Sequence, residues 1–90
     1  MNIEGKEFKA HAIATTNTNI LIITSEKGFL SCGYIKAEVA NKVGDVCAIV
    51  TGVKSTDDLL VANVITVSEA AEKLGVKVGM TGREALLLMS

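Results

Sequence analysis

Ninety residues provide for one domain with a modest core, because a chain of this length buries only roughly 60–70% of the surface that its unfolded form exposes. Apolar residues make up 49% of the chain, but only two Phe and one Tyr are aromatic, so most of them are small or branched aliphatics. Nine basic and ten acidic residues give a net charge of −1 without a basic run, which argues against nucleic-acid binding.

So much aliphatic side chain exceeds what the interior of a small domain can hold, which predicts a homo-oligomer, with a dimer as the first expectation and a trimer as the second. No apolar run approaches the roughly 20 residues of a membrane span, so we expect no membrane association. The first six residues carry no apolar stretch typical of a signal peptide. We therefore expect a cytoplasmic protein whose Cys32 and Cys47 are reduced thiols.

The first third of the chain reads as β structure. Alternating residues predict a strand that ends at a polar turn over residues 15–19: Phe8, Ala10, Ala12 and Ala14. Residues 20–24 are apolar on both faces, which predicts an interior strand. Residues 25–28 predict a hairpin turn, in which Gly28 is able to adopt a positive φ, and residues 28–34 return as a third strand. These strands form an antiparallel meander.

A helix and a buried strand follow. Ile35, Val39 and Val43 recur at the spacing of one helical face, and Gly44 suits the position just after a helix. Residues 45–52 form an apolar run without alternation, which indicates a strand covered on both faces.

The final third reads as mainly helical. Ser55 and Asp58 give an N-cap signature before Leu59. Further on, four residues fit one helical stripe, with Asn63 as its cap and Gly75 as its end: Val64, Val67, Ala71 and Leu74. We prefer this long helix, although the β-branched run at 64–67 favours a strand, with a shorter helix starting at Thr66 and paired with Glu69.

The last predicted helix opens with a capping box between Thr81 and Glu84 and continues to Met89. It is apolar nearly all round, so we expect it to be buried on several sides. The whole pattern predicts a single α/β (α+β) domain over residues 1–90. It has an N-terminal antiparallel β-meander, a helix, a central buried strand, and C-terminal helices packed on the sheet.

Three stretches, residues 28–33, 52–60 and 74–86, resemble the YunC-like family of small prokaryotic proteins, a family of unknown function. The resemblance extends from about Ile3 to Met89, and its most specific part is the Gly-Met-Thr-Gly-Arg-Glu-Ala-Leu block that starts at Gly79. It implies a compact α/β domain and brings no activity, ligand or catalytic residue.

Cys32 is the first candidate for chemistry, because a thiol near a helix start can be activated as a nucleophile. The only available histidine is His11. Hairpin loops at 15–18 and 25–28 would place His11 opposite Ile22, and Cys32 opposite Leu21 on the other face of the sheet. A slip of one residue would reverse this, but the pattern favours a structural thiol at Cys32.

Other candidates have simpler explanations. Cys47 lies within the apolar strand and is expected to be core, and two cysteines and one histidine cannot supply four zinc ligands within one chain. Lys54 follows Val53 where a phosphate-binding loop requires glycine, so nucleotide hydrolysis is excluded. Asp57 and Asp58 suit a helix start better than a metal site.

Residues 79–83 are the strongest ligand-binding candidate. Gly79 and Gly82 permit close backbone approach, Thr81 opens a helix, and Arg83 could grip a carboxylate or phosphate. The competing interpretation is a structural corner, in which Glu84 folds over the helix start and Arg83 pairs with Asp57, Asp58 or another subunit.

These observations lead to two functional hypotheses. The preferred one is a non-catalytic oligomeric module with a structural, regulatory or protein-interaction role, and with no cofactor, no metal and no assigned catalytic residue. The alternative is a binding or enzymatic site for a small anionic metabolite, formed by Cys32 together with Gly79, Thr81, Gly82 and Arg83.

Overall fold

The chain folds into a five-stranded mixed sheet with a small hairpin before it and four short helices around it, in a computed structural model that describes residues 1–90. The strands are β1 (Asn2–Ile3), β2 (Lys6–Glu7), β3 (Lys9–Ala14), β4 (Asn19–Thr24), β5 (Phe29–Ser31), β6 (Cys47–Ile49) and β7 (Thr66–Val67). The helices are α1 (Ala37–Val43), α2 (Thr56–Val61), α3 (Glu69–Lys73) and α4 (Gly82–Leu88). None of these helices has the length and apolar character needed to traverse a bilayer.

The five-stranded sheet has the order β3-β4-β5-β6-β7. The first three strands form the predicted antiparallel meander, β5 and β6 run parallel, and β7 pairs antiparallel with β6. Because β5 and β6 are parallel, the chain must cross over between them, and α1 makes that crossover. The α/β class and the meander are thus confirmed.

Helices cover the sheet unequally. One face carries α2, α3 and α4, and its core joins Leu21, Leu30 and Val50 to Leu59 and Leu86. The other face carries only α1, over a small cluster at one end of the sheet: Phe29, Ala37, Ala40, Cys47 and Ile49. We call this second face of the sheet the α1 face. On the α1 face, no helix covers β3 and β4.

The β1–β2 hairpin was not predicted from the sequence. Its turn places Glu4 at φ 50° and Gly5 at φ 82°, the left-handed pair that a tight two-residue hairpin requires. The hairpin brings Ile3 and Phe8 into the main core, and the terminal amino group of Met1 forms an ion pair with Glu7 at 3.2 Å.

The prediction for the buried stripe of α1 was wrong. Ala37 and Ala40 face the sheet, whereas Val39 and Val43 are 61% and 67% exposed. Two alanines let the helix lie close to Cys47 and Ile49, and the bulkier valines then fall on its flank. Gly44 ends the helix in the left-handed conformation, as expected, at φ 81°.

The long helix over residues 64–74 was also wrong. Thr66 and Val67 form β7, and α3 starts only after Ser68, so the strand alternative holds, but with Ser68 as the cap instead of Thr66. The edge of β6 has backbone groups that need partners, and the residues that flank β7 supply them: Ile65 N–H donates to Ile49 O at 2.8 Å, and Ser68 N–H donates to Cys47 O at 3.0 Å.

The other local predictions largely hold. Ser55 caps α2 by accepting from Asp58 N–H, and Thr81 and Glu84 form the complete capping box of α4. Gly28 does not adopt the positive φ that a glycine permits. A Cβ at Gly28 would lie 2.5 Å from the carbonyl oxygen of Val46, so close packing explains the glycine.

Candidate functional site

A shallow cavity of about 370 Å³ opens at the carboxyl ends of the parallel strands β5 and β6. Each strand continues into a short loop that lines it, and the β3–β4 turn completes the wall: Thr18, Asn19, Cys32, Gly33, Tyr34, Thr51, Gly52 and Val53. Carboxyl ends of adjacent parallel strands are a common place for ligands, because the chain leaves the sheet there and its loops diverge.

Cys32 forms the floor of this cavity and is only 6% exposed. Its Sγ accepts a hydrogen bond from Leu21 N–H at 3.3 Å, and its own N–H donates to Leu21 O at 3.0 Å. His11 pairs with Ile22, which pairs with Ser31, so His11 and Cys32 lie on opposite faces of the sheet as the hairpin register predicted.

The rest of the lining mixes polar and apolar residues and carries no carboxylate, lysine, arginine or histidine. Thr18, Asn19 and Thr51 offer neutral hydrogen-bonding groups, and Tyr34 stands at the rim, more than half exposed. The lining thus holds no carboxylate or imidazole that would take a proton from Cys32, and its neutral groups can form hydrogen bonds with a small molecule.

Residues 79–84 form a corner tied to the strand-like segment after α2. Gly79 N–H donates to Val64 O at 2.8 Å, Asn63 Nδ2 donates to Gly79 O at 2.6 Å, and Gly79 has φ 98°. At the start of α4, Glu84 Oε1 accepts from both Thr81 N–H at 3.1 Å and Thr81 Oγ1 at 3.0 Å. A carboxylate of the chain itself thus already occupies the place that an external anion would take.

Gly82 is a packing residue. It is buried, and a Cβ on it would collide with the carbonyl oxygen of Leu59 and lie 2.7 Å from Leu30 Cδ2. The absence of a side chain lets the start of α4 touch the end of α2, and Gly82 N–H donates to Ala62 O at 2.9 Å.

Arg83 is exposed and forms no ion pair within the chain, so the expected pairing with Asp57 or Asp58 is not made. Asp58 instead turns its carboxylate toward the start of its own helix, where Oδ2 accepts from Lys54 N–H at 3.0 Å. The structure also separates the two parts of the anion-site hypothesis. None of the residues 79–83 lines the cavity at Cys32.

Cys47 lies fully buried beneath α1, as the sequence predicted. Burial raises the pKa of the Cys47 thiol, the nearby Asp45 raises it further, and hydrogen bonding with Ser68 opposes this only in part. Ser68, which sequence reasoning missed, is fully buried, and its Oγ accepts from Cys47 N–H at 2.9 Å and from Ala71 N–H at 3.3 Å. The sequence carried a signal for this role, because a serine at position 68 is correctly spaced to cap a helix by accepting from the Ala71 N–H.

A second missed feature lies on the α1 face. Asn41 Oδ1 accepts from Glu69 N–H, so that side of α1 faces α3. Val39 and Val43 lie on the opposite side of the helix, toward β4, because residues two apart on a helix are separated by about 200°. With the uncovered strands they form what we call the open apolar face: Ile13, Ile20, Ile22, Val39 and Val43.

Fold and surface together define a small α/β protein with a βαβ crossover, one helix-covered sheet face and one face left partly open. The chain belongs to the family described as "Domain of unknown function (DUF1805)", whose model matches residues 31–89. It is similar to "Uncharacterized protein YunC" of Bacillus subtilis (strain 168), with 40% identity over 91 residues that cover 97% of this chain and 90% of that protein. The resemblance to the YunC-like family is thereby confirmed.

The fold is similar to the crystal structure of a protein of unknown function, TA1206, from Thermoplasma acidophilum. The TM-score is 0.95 at 36% identity, and the match covers 100% of this chain and 88% of that one.

Proposed function

We propose that this protein is a homo-oligomeric module that acts through association, not catalysis, with a dimer as its basic unit. The observation that supports the proposal best is the open apolar face. Ile13, Val39 and Val43 are 56%, 61% and 67% exposed. Ile13 pairs with the half-buried Ile20, and Val39 and Val43 belong to α1 on the same face of the sheet. Several exposed aliphatic side chains on one face of a small chain are typical of an interface.

The size of this surface is adequate for reversible association. Burying a fully exposed Val or Ile side chain is worth roughly 1.5–3 kcal/mol, so a side chain that is about 60% exposed contributes on the order of 1–2 kcal/mol. A twofold interface would bury the three most exposed side chains twice, for about 6–12 kcal/mol. The cost of associating two chains is estimated at about 4–15 kcal/mol, so the two quantities are comparable and the oligomer depends on concentration.

The last helix, which the sequence predicted to be buried on several sides, contributes little to such an interface. Leu86 and Met89 are fully buried in the core of their own chain, and only Leu88 keeps a substantial exposed fraction. We therefore assign the interface to the α1 face of the sheet. Helix α4 packs against the opposite face.

Light scattering coupled to size exclusion tests the proposal. We expect a mass that is a multiple of the 9.4 kDa chain, and a lower mass for Val39→Asp at the same concentration. Val61→Asp is the matched control, because Val61 is also an exposed helical valine but belongs to α2 on the other side of the sheet. A wild-type protein that elutes as a 9.4 kDa monomer at tens of micromolar would refute the proposal.

A second candidate function is small-ligand binding in the cavity at Cys32, the remainder of the anionic-metabolite hypothesis. The observation that favours it is the set of neutral hydrogen-bonding groups at the carboxyl ends of β5 and β6, from Thr18, Asn19 and Thr51. Native mass spectrometry would detect a co-purified small molecule. Melting with and without phosphate or small dicarboxylates, for wild type and Arg83→Ala, would show whether Arg83 has any part in anion binding.

A further inference from the structure

The free edge of β3 presents unpaired backbone groups. Thr15 N–H donates to Thr18 O at 2.8 Å, and hydrogen-bonded pairs alternate along an antiparallel ladder. Lys9, His11 and Ile13 therefore bond to β4, and the N–H and C=O groups of the three alanines between and after them point away from the sheet: Ala10, Ala12 and Ala14. The bond from Cys32 N–H to Leu21 O agrees, because Leu21 faces β5 and not its β3 partner Ala12.

Only the start of this edge is occupied, where Met1 pairs with Phe8: Phe8 N–H donates to Met1 O at 2.7 Å, and the Met1 amino group donates to Phe8 O at 2.9 Å. From Ala10 to Ala14 no other strand of the chain pairs with the outward-facing groups. All six residues of β3 are exposed, the pairing with β4 is continuous from Lys9 to Ala14 without a bulge, and the chain contains no proline. Natural edge strands usually carry such protective devices, because an open edge is a template for another strand.

We propose that a second copy of this chain pairs its β3 antiparallel with this edge about a twofold axis at Ala12, which joins two five-stranded sheets into one. This inference rests on the proposed homo-oligomeric function and adds a second contact surface to it, because pairing along the edge places the two open apolar faces side by side and does not cover them. A twofold interface brings the same segment of both copies together, so the strand must be complementary to itself.

The strand meets that requirement in one register. With Ala12 opposite Ala12 of the second copy, Ala10 lies opposite Ala14, so all three outward-facing residues of each copy form hydrogen-bonded pairs. A shift of two residues in either direction leaves one alanine of each copy unpaired within the strand. An odd shift would oppose outward-facing residues to inward-facing ones, which cannot bond.

The charges of the strand also suit this register. Lys9 is the only formally charged residue in β3, and it would lie opposite Thr15 of the second copy. The two lysines then sit at opposite ends of the paired strands, about 20 Å apart at ~3.4 Å per residue. The twofold axis runs through the sheet, so the open apolar faces of both copies lie on the same side and merge across the junction.

Disulfide trapping tests the register. Residues opposite each other in a hydrogen-bonded antiparallel pair have Cα atoms about 5.5 Å apart, within the range that a disulfide spans. Ala12→Cys should give a covalent dimer under mild oxidation. Ala10→Cys alone should not, but a mixture of Ala10→Cys and Ala14→Cys should give the mixed dimer. Background from Cys32 and Cys47 is low because both are buried.

Ala12→Pro is a second test, since it removes an outward N–H and no bond to β4, and edge strands tolerate proline at such positions. We expect a chain with the wild-type circular dichroism spectrum and a lower mass than wild type, whereas Ala12→Thr keeps the wild-type mass. An oligomeric wild type without cross-linking at position 12, or an Ala12→Pro variant with the wild-type mass, would overturn the edge pairing and leave the proposed function intact. A monomeric wild type would refute both.

Discussion

Gly82→Ala is the substitution whose outcome the structure predicts most directly. The added Cβ would collide with the carbonyl oxygen of Leu59, a backbone atom that cannot move unless α2 moves, and would press on Leu30 Cδ2 at 2.7 Å. Overpacking of a tight core costs typically ~1–3 kcal/mol, and contact with backbone places this case at about 3 kcal/mol. Alanine recovers up to ~1 kcal/mol of helix propensity, so we expect a net loss of about 2 kcal/mol.

For a domain of this size each kcal/mol corresponds to roughly 4–8 °C in melting temperature, so Gly82→Ala should melt about 8–16 °C below wild type. Thermal unfolding followed by circular dichroism measures this. Gly33→Ala is the matched control, because Gly33 is exposed and an added Cβ would meet only the flexible Thr51 Cγ2 at 3.2 Å. If Gly82→Ala melted like Gly33→Ala, the packing explanation of this glycine would be wrong.

Three further substitutions have defined outcomes. Ser68→Ala strands the buried N–H of Cys47 and uncaps α3, so urea titration should show a loss of about 2–3 kcal/mol, against about 1 kcal/mol for the exposed cap in Ser55→Ala. Because burial raises the pKa of the Cys47 thiol, its contribution to stability is intact below the unfolded pKa of about 8.5 and is lost as pH rises through the higher folded value. Denaturant titrations from pH 7 to 10 should therefore show a steeper loss for wild type than for Cys47→Ala, and equal slopes would contradict this. Arg83→Ala should change the unfolding free energy by no more than about 0.5 kcal/mol, since Arg83 is exposed and unpaired, and a larger loss would point to a contact with another subunit.

Features set by residues close together in the sequence could be predicted without the structure. The β3–β4 and β4–β5 hairpins follow from short polar turns between apolar runs, and their register alone separates His11 from Cys32. The caps at Ser55 and Thr81 and the left-handed end at Gly44 are likewise decided within a few residues. These features could be predicted because the residues that determine each of them lie only a few positions apart in the sequence.

Features that depend on a distant partner were decided only by the tertiary structure. Residues 66–67 became β7 because the edge of β6 needed hydrogen-bond partners, which outweighed the helical spacing of the apolar residues. The face that α1 buries was determined by how closely it approaches the sheet, so the small Ala37 and Ala40 replaced the valines that periodicity favoured. The sequence predicted Gly82 as a ligand-binding glycine, but in the structure Gly82 packs against the backbone of Leu59. Which distant backbone segment a glycine contacts cannot be read from the sequence.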